Sequence, residues 1–130
     1  MIWAEGQFVV GDSVDLDQYG HLKCPVLDRV LQQCRDQMLA SYDTMLELIQ
    51  QASSLRKVVE TYSIAWSIEL KTGDKCSILT RLRLSKVKVV LEESITKGDE
   101  LAVLCVTTFV MVDENGKKTS IPVELRRQLS

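Results

Sequence analysis

Residues 15–30 read DLDQYGHLKCPVLDRV. The stretch opens as a polar loop holding two carboxylates, a glycine and the chain's only histidine. It then becomes helical within a few residues. Pro25 suits the first helical turn, where its missing N–H costs nothing and its φ is already close to helical. Beyond it Val26, Val30, Cys34, Met38, Tyr42, Met45 and Ile49 recur at steps of three or four. That spacing predicts one apolar stripe of an amphipathic helix, with Cys34, Met38 and Met45 in the core. Asp28, Arg29, Gln32, Gln33, Arg35 and Asp36 fill the remaining, polar face. The pattern reaches about Ala52, with Ser41-Tyr42-Asp43 as a break into a main helix and a short second one.

Outward from this helix the texture is that of strands. Before the loop, Gln7–Asp12 (QFVVGD) is short and partly alternating, as a first strand would be. After the helix, Val58–Leu70 is rich in β-branched and aromatic residues and ends at Lys71-Thr72-Gly73-Asp74. Cys76–Leu84 alternates, with Ile78, Thr80, Leu82 and Leu84 on one side and Leu79, Arg81 and Arg83 on the other. Val87–Ile95 and Leu101–Val112 complete the set, separated by Thr96-Lys97-Gly98-Asp99. Asp113-Glu114-Asn115-Gly116 is a tight-turn signal. The tail is expected to leave the sheet at Pro122. One strand, one long helix and four turn-connected strands predict an α+β fold with an antiparallel sheet of about five strands. A sheet with one face on a helix leaves an edge or face to be covered, and a second copy of the chain is a common cover.

The bulk properties set limits. With 130 residues, the chain fits one domain spanning 1–130, long enough to bury roughly two-thirds of its unfolded surface. It is 45% hydrophobic and 26% charged, a globular composition. Sixteen basic residues face eighteen acidic ones for a net charge of −2, which argues against a general nucleic-acid binder. The N-terminus lacks the basic n-region and apolar core of a signal peptide, and no apolar run approaches the ~20 residues of a membrane span. A cytoplasmic location is therefore expected. Cys24, Cys34, Cys76 and Cys105 form no CxxC pair, so no metal site is expected, only free and mostly buried thiols.

Three segments carry a resemblance. Asp15-Leu16-Asp17-Gln18-Tyr19-Gly20-His21 resembles the Asp-x-Asp-x-x-Gly-His loop that precedes the central helix in hotdog-fold acyl-CoA thioesterases of the 4-hydroxybenzoyl-CoA thioesterase-like branch. Trp66-Ser67-Ile68-Glu69-Leu70-Lys71-Thr72-Gly73-Asp74 is similar to that branch's strand and Gly-Asp turn after the helical region. Val110–Gly116 with Ile121-Pro122 resembles its last strand, turn and closing Ile-Pro. The three occur in the family's order over nearly the whole chain. The resemblance implies a curved antiparallel sheet wrapped around one central helix, and hydrolysis of an acyl-CoA or acyl-carrier-protein thioester. It also implies a homodimer or homotetramer with sites between subunits. No cofactor is implied, coenzyme A being part of the substrate. The chain departs from the pattern after Gly20-His21, where it reads Leu22-Lys23-Cys24-Pro25.

By the same resemblance Asp17 takes the catalytic role, as nucleophile or base, and the backbone N–H of Cys24 polarises the thioester carbonyl. The chemistry fits these residue types. A carboxylate can attack a thioester or activate water. The free N–H groups and positive end of a helix N-terminus favour a developing oxyanion. From the residues alone, Asp17 is equally a turn cap. His21 could orient Asp17, bind the carbonyl, or satisfy loop backbone, while Asp15 is expected to stabilise a turn. Asp28, Asp36, Asp43 and Glu47 are rival carboxylates on the helix, expected to be solvated. The phosphates of coenzyme A call for cations. Arg81, Arg83, Lys86 and Lys88 lie along one stretch, and Lys117, Lys118, Arg126 and Arg127 near the end. Ser85 and Lys86, with Lys88, occupy the position where similar proteins contact the nucleotide. A non-catalytic hotdog protein that binds an acyl or aromatic ligand is the other reading of the same residues.

Overall fold

Alternation along Cys76–Leu84 is realised in the sheet. Ile78, Thr80 and Leu82 are buried, while Arg81 and Arg83 are exposed. The computed structural model describes residues 2–11, 15–36, 56–121, 123 and 126–127. They form β1 (Ile2–Val9), a helix α1 over 24–36, β2 (Arg56–Trp66), β3 (Lys75–Leu84), β4 (Lys88–Lys97), β5 (Glu100–Val112) and β6 (Lys118–Thr119). All pairings are antiparallel, in the order β1-β3-β4-β5-β2, with the two-residue β6 added to the end of β5. The sheet is curved and does not close, so β1 and β2 are its edges. This is the hotdog architecture.

Two strands, β1 and β2, differ most from the sequence expectation. β1 occupies Ile2–Val9 and not Gln7–Asp12. Its register against β3 runs from Ile2↔Leu82 to Val9↔Lys75. Glu5 and Gly6 disguise the pattern, and Gly6 is there for close approach. A Cβ at that position would lie 2.6 Å from Cys34 Sγ on the helix. β2 ends at Trp66 and not Leu70. The Ser67 amide still bonds Ala102 O at 2.8 Å, but the Leu70 amide turns away to Gly20 O at 2.8 Å. The chain leaves the sheet to hold the loop.

The helix packs on the sheet's inner face. Leu27, Val30, Leu31 and Cys34 join Cys76, Ile78, Ile95, Val103 and Cys105 in one buried cluster. Leu27 and Leu31 make the apolar face wider than the predicted stripe, in which Val26 is only half-buried. Each such fully buried side chain contributes about 1.5–3 kcal/mol relative to exposure. Met38, Tyr42, Met45 and Ile49, and the expected helix break, lie outside the described residues. No described helix is long and apolar enough to cross a membrane.

Arg35 does not sit on a solvated face. Its guanidinium grips Glu93 of β4 through Nε and Nη2, both at 2.7 Å, and Asp28 through Nη1 at 3.1 Å. Glu93 has no exposed surface. It lies in the cross-sheet row Ala4–Thr80–Glu93–Cys105–Ile64. Its hydrogen bonds and charge hold the arginine's pKa above its ordinary value, against the opposing effect of burial. A buried ion pair of this kind contributes little net stability while intact, but losing one partner strands the other charge. Arg35→Met should therefore lose about 3–5 kcal/mol in urea denaturation. Arg35→Met combined with Glu93→Leu should recover most of that loss, because no buried charge is left unpaired.

Candidate active site

The loop before the helix is a tight hairpin. Leu16 and Leu22 pair across it, the Asp17 amide bonds His21 O at 2.8 Å, and the Lys23 amide bonds Asp15 O at 3.0 Å. Gly20 forms the turn with φ +72°, and a Cβ there would strike Glu69 Cβ at 2.7 Å. Its carbonyl takes the Leu70 amide, so the hairpin is fastened to the segment that follows β2. Leu22 is buried in the main cluster.

Asp17 uses its two carboxylate oxygens differently. Oδ1 accepts the amides of Tyr19 at 2.8 Å and His21 at 3.0 Å. Oδ2 has no hydrogen bond among the described residues and lies 3.9 Å from His21 Nδ1. The bond from the His21 amide, supported by that from Tyr19, holds the carboxyl below its ordinary pKa against a smaller effect of desolvation. The carboxylate is exposed, and only Oδ1 is fixed by hydrogen bonds among the described residues. The residues alone allow either a turn cap or a reactive group; the two amide bonds to Oδ1 are those of a turn cap.

His21 stacks on Trp66, the last residue of β2, with ring centroids 4.5 Å apart and planes 7° from parallel. Tyr19 lies on the loop at 6.2 Å from the imidazole. Trp66 itself is locked into the row Gly6–Ile78–Ile95–Val103–Trp66. Cys24 is exposed and begins α1, whose first described bond runs from the Leu27 amide to Lys23 O at 2.9 Å. The Cys24 N–H is one of the first-turn donors without an intrahelical acceptor. The other three cysteines are buried, and burial pushes the Cys105 thiol up to about 11.

The remaining predicted residues gather elsewhere. Ser85 and Lys88 close the β3–β4 turn on each other, the Lys88 amide bonding Ser85 Oγ at 3.0 Å and the Ser85 amide bonding Lys88 O at 2.9 Å. Lys86 offers its carbonyl to the Ile121 amide at 2.8 Å, and its side chain is exposed. This turn begins seven residues beyond Ile78, about 23 Å along the strand from the Trp66 row. Within one chain, then, Asp17 and His21 lie side by side, Cys24 begins the helix three residues after His21, and Ser85, Lys86 and Lys88 lie elsewhere. Of the helical carboxylates, Asp28 is tied to Arg35 and Asp36 to Gln32, while Asp43 and Glu47 lie outside the described residues. Arg81 and Arg83 share Glu92 on the outer sheet face.

Two features escaped the sequence. Trp66 was visible only as strand material, since nothing local marks which loop it meets. Glu60 sits in a bulge between Val59 and Thr61, where it takes Lys88 at 2.9 Å and Lys118 at 2.6 Å. Its two lysines, Lys118 foremost, hold its carboxyl below the ordinary value. They flank a surface cavity of about 550 Å³ that also includes Val110, Thr119 and Ser120.

No family model matches the sequence, and no curated protein matches it. Solved structures do match. A 1,4-dihydroxy-2-naphthoyl-CoA thioesterase from Synechocystis superposes with a TM-score of 0.67 at 15% identity, over 98% of this chain and 95% of that one. YbaW from Escherichia coli, described as a probable thioesterase, gives 0.70 at 23% identity over 97% and 96%. A 12:0-ACP thioesterase from Umbellularia californica gives 0.70 at 12% identity, over 96% of this chain and 51% of that one. The chain has the hotdog fold that these thioesterases share.

The Asp17 hydrogen bonds also set a pH dependence. Because the folded-state pKa is lowered, their contribution is complete above the ordinary value of 3.8 and is lost as pH falls through the lower folded value. The stability gap between wild type and Asp17→Ala should therefore narrow from about pH 6 to about pH 2, as read by denaturation midpoints.

Proposed function

We propose that this protein is a thioesterase that hydrolyses an acyl-CoA or acyl-carrier-protein thioester to a free acid and a thiol. The observation that carries the reading is the divided role of Asp17. Oδ1 is pinned by two amides, while Oδ2 has no hydrogen bond among the described residues and belongs to an exposed carboxylate a few residues before α1. Oδ2 acts either as the nucleophile, forming an acyl anhydride, or as the base for an attacking water. The first-turn N–H at Cys24 receives the developing oxyanion. The solved thioesterases that share the fold support the reaction class. Their names include both CoA and carrier-protein donors, and both donors stay in the proposal.

The β2 edge supports assembly into a dimer, or into a tetramer made of two dimers. From Thr61 to Trp66 it carries no charge, and Val58, Val59 and Tyr62 are exposed. An uncharged edge of this length invites another strand. Antiparallel pairing of two β2 edges would set the Arg56 end of one copy against the Trp66 end of the other. The Ser85–Lys88 turn lies at the Arg56 end, two strands inward. Pairing would thus bring Lys86 and Lys88 of one copy toward the Asp17 loop of its partner, where the phosphates of a CoA donor need cations.

The test is thiol release over aryl-, short-, medium- and long-chain acyl-CoAs and a loaded acyl-carrier protein. Asp17→Asn is the control, because its amide oxygen can still accept the Tyr19 and His21 amides. Wild type should cleave one class, and Asp17→Asn should fall by about 10²–10⁴-fold while staying folded. If no donor is cleaved, a ligand-binding protein replaces the enzyme; if folded Asp17→Asn keeps the wild-type rate, the catalytic role of Asp17 is overturned. Light scattering should give the mass of a dimer or tetramer; a monomer would remove the shared-site arrangement.

A further inference from the structure

A histidine side chain is normally oriented by a hydrogen bond to one of its ring nitrogens. Neither nitrogen of His21 has such a bond among the described residues. The ring is about one-third exposed and sits on a surface hairpin, yet it lies flat on an indole. The groups that face it are Asp17 and Tyr19 on its own loop and Trp66 on β2, with Lys23 following along the chain and Glu69 beneath Gly20. Of these, Trp66 alone is built into the sheet and makes face contact with the ring.

We propose that Trp66 is a positioning residue, whose indole face holds the His21 imidazole with Nδ1 toward Asp17 Oδ2 so that the ring carries the proton of the hydrolytic water. This rests on the thioesterase reading with water as the attacking group, and it moves the base role from Asp17 to His21, leaving Asp17 Oδ2 to orient the water. Oδ2 and Nδ1 are 3.9 Å apart, close enough for both to bond one water molecule at about 2.8 Å each. As the water oxygen bonds to the acyl carbon, its proton passes to the imidazole. The imidazolium so formed lies beside the Asp17 carboxylate and against the indole face. When the C–S bond breaks, the departing thiolate takes that proton and leaves as the thiol. The ring returns to its starting state, and the second proton of the water stays with the acid product.

Because His21 is the chain's only histidine, chemical rescue reports on a single position. With the preferred thioester, His21→Ala should lose about a hundredfold or more in kcat with little change in KM. Added imidazole should restore part of it by occupying the vacated place on Trp66. Trp66→Leu should lower kcat about tenfold or more, Trp66→Phe should stay near wild type because a flat face remains, and His21→Ala with Trp66→Leu should resist rescue. Circular dichroism and melting curves would confirm that each variant is folded. If wild type cleaves a thioester but folded Trp66→Leu keeps its kcat, or imidazole rescues both His21→Ala backgrounds equally, the role of Trp66 is overturned while the thioesterase reading stands. If wild type cleaves none of the panel, both fall together.

Discussion

The grip of Arg35 on Glu93 is the constraint on which the rest of the structure depends. It is bidentate, lies at the middle of the sheet, and binds α1 to the central strand β4. Apolar packing alone would let a helix slide on a sheet of β-branched side chains. A two-point hydrogen bond between a planar cation and a carboxylate admits one geometry. Gly6 completes the constraint by letting Cys34 Sγ approach the β1 backbone more closely than any side chain at that position would allow. With the helix so placed, its N-terminus falls where the Asp15–Lys23 hairpin delivers it, and the donors of its first turn are near the carboxylate loop.

The hairpin in turn depends on the end of β2. Up to Trp66 the strand follows β5 residue by residue; after Ser67 the backbone spends its next described hydrogen bond on Gly20 instead of the sheet. The same few residues therefore end a strand, anchor a loop and supply the aromatic face under His21. The candidate site thus lies on a surface loop fastened to the end of β2 and to the buried cluster.

Much of this was legible beforehand, and what was not has a common cause. The strands from Cys76 onward could be read because one face is buried and one is not, which writes a period of two into the chain. The helix start at Cys24-Pro25 could be read because proline suits that place. Asp17 and His21 could be singled out because their spacing and order resemble a known loop. By contrast, β1 was placed too late, since Glu5 and Gly6 break its alternation for reasons that lie on the helix. Arg35 was assigned to the solvent face, because its position relative to the apolar stripe says nothing of a carboxylate 58 residues away. Glu92 and Glu93 are adjacent and alike in sequence, yet one is partly exposed among arginines and the other is sealed under the helix.

By itself the sequence determined the class of fold, the order of its elements, and a carboxylate–histidine loop set before a helix. These follow from local periodicity and from residue types whose backbone preferences act over a few positions. Only the tertiary structure decided which oxygen of Asp17 is free, which aromatic ring carries His21, and which charges are buried together. It also decided that Ser85, Lys86 and Lys88 lie at the far end of the sheet from Asp17 in the same chain. Those outcomes come from contacts between strands and loops distant along the chain, and no local pattern of side chains encodes the register at which distant segments meet.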